Sequence, residues 1–116
     1  MEFDWKSGEL AAGLECYRNQ EYFLAHEHWE AVWLRSVEPE KTFLQALIHV
    51  AAAFHHLRKG NAAGASSQLG RALSKLGPYP AEYCGVRVEA VRQSIAAWIE
   101  LLAAGEARTQ LPVPPI

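Results

Sequence analysis

Two short runs in this chain of 116 residues carry most of the side chains able to do chemistry. The first is His26-Glu27-His28-Trp29-Glu30, and the second runs from Gln45 through His49 to His55-His56. On a helix advancing about 100° per residue, with Tyr22 at zero, Trp33 lies at about 20°, His26 at about 40°, Glu30 at about 80°, Phe23 at about 100° and Leu34 at about 120°. His26 and Glu30 are one turn apart and stand among aromatic and aliphatic groups. This predicts that both are buried at the centre of an apolar face, where a carboxylate must find a partner. His26 can be that partner. Glu27 falls at the edge of the same face, and His28 is expected to point into solvent. With Leu44 at zero, Ala52 lies at about 80°, Gln45 at about 100°, His56 at about 120° and His49 at about 140°. Gln45, His49 and His56 thus share one stripe, with His55 elsewhere beside Ile48.

If the two helices form an antiparallel hairpin, the two stripes face each other. Imidazoles and a carboxylate across a helix pair can ligate a divalent metal or pass a proton. The same residues can equally satisfy one another and fix helix register. Two readings follow. The leading one is a structural or interaction module with a buried His/Glu cluster. The alternative is a small-ligand or divalent-metal site, enzymatic or not, between the second and third helices around His26, Glu30, His49 and His56. The zinc-protease pattern is ruled out, because Glu30 occupies the place of its second histidine. His49 and His56 are seven residues apart, about 10 Å at ~1.5 Å per residue, so one ion does not reach both. No cofactor is expected, and divalent metal at most weakly.

These side chains need helices to position them. There is no period-2 alternation, and Gly and Pro fall at punctuation points. Five helices are predicted: about Ser7 to Arg18; Gln20 to Arg35, capped by Asn19; Pro39 to Lys59, closed by Gly60; Asn61 to Leu76, capped by Asn61; and Val86 to Ala104, with Val88, Val91, Ile95, Trp98 and Leu102 on one stripe. A Pro-rich, irregular tail covers 105–116. The third helix is apolar nearly all round from Phe43 to Leu57, which fits an enclosed central helix or a contact between copies. The expected fold is therefore an all-α bundle of about five helices in a single domain, 1–116, with self-association expected.

Half of the residues are hydrophobic, 21% are charged, the net charge is -2 and the pI is about 6.2. That balance suits a globular domain and gives no drive toward nucleic acid or anionic lipid. The cations are scattered, and Arg58-Lys59 sit where a helix should end. Trp5, Trp29, Trp33 and Trp98 lack interleaved cations and read as packing and rim residues. The start of the chain lacks a secretory pattern and no run is long enough to span a bilayer. Cys16 and Cys84 have neither metal spacing nor a disulfide framework and read as buried thiols. The expected compartment is the cytoplasm.

Asn19 to Trp33 (NQEYFLAHEHWEAVW) and Phe43 to His56 (FLQALIHVAAAFHH), followed by Gly60-Asn61 and Gly64-Ala65, resemble the signature of the DUF309 family. The resemblance covers about Gly13 to Leu76, with a weaker match through Tyr83-Gly85. It implies a compact helical bundle and brings no activity. The family's polar positions fall on His26, Glu27, Glu30, Gln45, His56, Asn61 and Gly64.

Overall fold

The computed structural model describes residues 3–105 and 111–116. Residues 106–110 of the expected tail lie outside the described residues. Among those described there are five helices: α1 (Gly8–Arg18), α2 (Tyr22–Trp33), α3 (Glu40–Arg58), α4 (Ala62–Leu76) and α5 (Val88–Ala103). Each packs on its neighbour in sequence, α1 on α2, α2 on α3, α3 on α4 and α4 on α5. The fold is an all-α bundle. Leu111–Ile116 has no regular secondary structure and is tied down by Tyr17, whose hydroxyl donates to the Pro114 carbonyl at 2.8 Å, and by Trp98 Nε1, which donates to Pro112 at 2.9 Å.

Nearly half of α3 is buried, including Phe43, Leu44, Leu47, Val50 and Phe54. Its apolar girth is covered by its own chain, with Tyr22 and Trp98 packed on Phe54 and Tyr79 and Tyr83 on Phe43. The helix ends as its sequence requires. Gly60 takes φ +79, a left-handed position that glycine adopts at little cost. The amides of Gly60 and Asn61 then reach back to the carbonyls of Leu57 and His56 at 3.0 and 2.9 Å, closing the helix end. Asn61 caps α4 through its side chain, which accepts from the Gly64 amide at 2.8 Å. Asn61→Ala is expected to cost about 1 kcal/mol, read as a lower urea midpoint at unchanged slope.

The first helical junction differs from its expectation. Asn19 does not cap α2; it is the C-cap of α1, and Gln20 follows in the left-handed region at φ 65. The amides of Gln20 and Glu21 bond to Tyr17 and Cys16 at 3.1 and 2.8 Å. The geometry is the same closing motif as at Gly60, with glutamine in the glycine position. Asparagine before a helix is ambiguous between the two roles, and nothing nearby in sequence separates them.

Candidate functional site

α2 and α3 run antiparallel. Phe23 at the start of α2 lies against His55 near the end of α3, ring centroids 5.1 Å apart, and Trp33 at the end of α2 lies under Lys41 at the start of α3. The residues α2 buries are Tyr22, Ala25, Trp29 and Val32. Their wheel angles average about 320°, which turns the core-facing stripe by roughly 80–100° from the face predicted. Phe23 and Leu34, counted there as core, are 49% and 70% exposed. The buried His/Glu cluster is therefore corrected: His26 is only half-buried and Glu30 is exposed. His26 Nε2 stands 3.6 Å from Glu30 Oε2, an ion-pair distance too long for a hydrogen bond.

These side chains line a cleft of ≈ 370 Å³ between α2, α3 and α4. Phe23, His26, Glu30 and Trp33 come from α2; Gln45, Ile48, His49, Ala52, His55 and His56 from α3; and Gln68 from α4. Of the residues expected at the site, His26, Glu30, Gln45, His49 and His56 meet there. Glu27 is exposed and outside the cleft. Asn61 stands behind it, its Nδ2 donating to His56 Nδ1 at 3.2 Å. His28 is not a solvated bystander, since its Nδ1 lies 2.9 Å from Glu9 Oε2 on α1.

His55 and Gln68 complete the walls and were not expected there, whereas Phe23 stands beside His26 and Glu30 as the wheel placed it. On α3, His55, Ile48, Ala52, Gln45, His56 and His49 occupy an arc of about 120°, and most of the other side chains between Phe43 and Phe54 lie in the core. A stripe drawn on Gln45, His49 and His56 alone is too narrow and drops His55. Gln68 was legible: it follows Asn61 and Gly64 at helical spacing on one face of α4. It holds His49, whose Nδ1 donates to Gln68 Oε1 at 2.6 Å.

Burial pushes His49 below the ordinary histidine value; the Gln68 bond opposes this, and Lys75 and Arg71 add to it. Burial also lowers His55, reinforced by Lys59. The sign for stability follows directly. The unfolded chain takes up a proton at the ordinary histidine pKa of about 6.5, whereas folded His49 does so only at lower pH. The unfolded state thus binds more protons in that window, and stability falls as pH drops through it. His49→Gln is expected to lose less of its urea midpoint between pH 7 and pH 5 than the parent does. Parallel losses would show that His49 does not contribute.

His26 Nδ1 and Trp33 Nε1 are shielded from solvent and have no hydrogen-bond partner among the described residues. The other three indoles are all bonded: Trp5 to the Cys84 carbonyl at 2.8 Å, Trp29 to Leu10 at 3.2 Å and Trp98 to Pro112 at 2.9 Å. Among the described residues, no three His, Cys, Asp or Glu side chains gather closely enough to hold one metal ion, and none of the helices is long and apolar enough to cross a membrane. No disulfide joins Cys16 and Cys84, which are half-buried rather than buried.

Searches of curated proteins and of solved structures find no match. A family model described as "Domain of unknown function (DUF309)" matches residues 10–68. That is more than half of the chain, running from α1 into α4 and taking in every wall of the cleft. The chain belongs to the DUF309 family.

Proposed function

We propose that this chain is a small-ligand binding module and that the cleft between α2, α3 and α4 is its site. The observation that carries the reading is the cleft itself, an opening walled by six half-buried polar side chains, His26, Gln45, His49, His55, His56 and Gln68. A buried polar group left without a partner costs about 1–3 kcal/mol, so a cluster built only to hold helices together would be closed off and fully bonded. The polar groups here instead line an opening whose ≈ 370 Å³ falls within the roughly 300–1,000 Å³ of small-molecule sites.

The hydrogen-bonding groups are of both kinds. His49 uses its Nδ1 proton on Gln68, which leaves Nε2 as an acceptor. His56 accepts at Nδ1 from Asn61, which leaves Nε2–H as a donor. Phe23, Ile48 and Ala52 supply apolar surface between them. The complement is a compact organic molecule with an apolar body and both donor and acceptor groups.

Benzyl alcohol is a suitable probe. At about ten times its Kd it should raise the melting temperature of the parent chain by roughly 3–6 °C. Ala52→Trp places an indole in the half-exposed cleft wall and should remove that shift while leaving the chain folded. No shift in the parent, or an equal shift in Ala52→Trp, would overturn the reading.

A further inference from the structure

We infer that the ligand of this cleft is a small organic acid whose oxyanion, carboxylate or phosphate, is held by Arg71 and Lys75. The inference rests on the ligand-site reading above and adds the class of molecule. A second groove, of ≈ 600 Å³, adjoins the cleft and shares Gln45 and His49 with it as a common wall. Its far side is α4, which contributes Arg71 and Lys75 together with the hydroxyl residues Ser67 and Ser74.

Arg71 and Lys75 are four residues apart and share one helix face, an arrangement of like charges that is mildly destabilising on its own. Neither forms an ion pair or side-chain hydrogen bond among the described residues. The carboxylate that feels Lys75, Glu38, is engaged elsewhere: it accepts from the amide and hydroxyl of Thr42 at 2.9 and 2.7 Å. Both cations act on His49 and oppose its protonation, so their field reaches the shared wall.

The carboxylate lining the cleft, Glu30, comes from α2, on the opposite side from Arg71 and Lys75 on α4. Glu30 thus stands at the α2 rim and Arg71 and Lys75 at the α4 rim, with Lys41 over the Trp33 ring at the start of α3. A molecule with an apolar body and one oxyanion satisfies this in one orientation. Its ring lies against Phe23, Ile48 and Ala52, and its anion passes Gln45 and His49 to reach Arg71 and Lys75. An amine would leave the two cations uncompensated.

The test compares four probes of one shape, benzoate, phenyl phosphate, benzyl alcohol and benzylamine, titrated at pH 7 and low salt with chemical-shift detection. One or both acids should bind roughly 3- to 30-fold tighter than benzyl alcohol, the gain expected of two exposed charge pairs. The stronger acid identifies the head group. Raising the salt should shrink the preference. The variant carrying Arg71→Gln and Lys75→Gln should bind benzyl alcohol as before and lose the preference. Equal binding of acids and alcohol, tighter binding of benzylamine, or a preference that survives in the double variant would each overturn the inference while leaving the ligand site standing. Failure of all four probes to bind would remove both.

Discussion

Replacing Trp29 with alanine is expected to cost about 3–5 kcal/mol, the range for a large aromatic deleted from a packed core. Trp29 is wholly buried, although its neighbours His28 and Glu30 on α2 are not. Its indole packs edge-on against Trp5 at 6.2 Å and tilted against Tyr17 at 5.8 Å, and donates to the Leu10 carbonyl. Truncation removes those contacts, leaves a cavity and loses the indole's hydrogen bond, while the Leu10 carbonyl keeps its partner within α1. For a chain of this size the melting temperature should fall by about 10–20 °C. A fall of only a degree or two would mean that the indole is not the plug between α1 and α2.

Gly13→Ala is the second large expected loss, about 2–3 kcal/mol by overpacking. Gly13 is buried on α1, and a Cβ built there would overlap the Trp29 indole. Alanine elsewhere in a helix gains about 1 kcal/mol over glycine, so a loss here isolates the clash. The two substitutions should therefore be strongly non-additive. In the Trp29→Ala background the new methyl group enters vacated space, and Gly13→Ala should become neutral or stabilising. Additive urea midpoints would contradict the contact.

The helices were legible because their punctuation is strong. Gly60-Asn61 closes α3 and opens α4 through backbone and side-chain bonds that those residue types favour. The apolar girth of α3 announced a central helix. Since its own chain covers that girth, α3 no longer argues for self-association; light scattering across concentrations tests that expectation independently. The rotation of α2 was not legible. Phe23 and Leu34 have the chemistry of core residues, and only the packing of Trp29 against α1 decides that the core face lies on the other side of the wheel. That one rotation turns a closed polar cluster into the wall of an open cleft. The residues expected at the site came together without being buried. Gln68 entered from a third helix, because pairing stripes on two helices ignores what a neighbour contributes.

The central claim is that these polar groups serve a ligand and not each other. The most direct measurement is the nitrogen–proton correlation spectrum of the indole and imidazole groups, recorded with and without saturating benzyl alcohol. The Trp33 Nε1–H signal and the ring signals of His26 and His49, all three in the cleft wall, are expected to move together. The indoles of Trp5, Trp29 and Trp98 already donate to backbone carbonyls and should stay in place as internal controls. An unmoved Trp33, or four indoles drifting together, would contradict it.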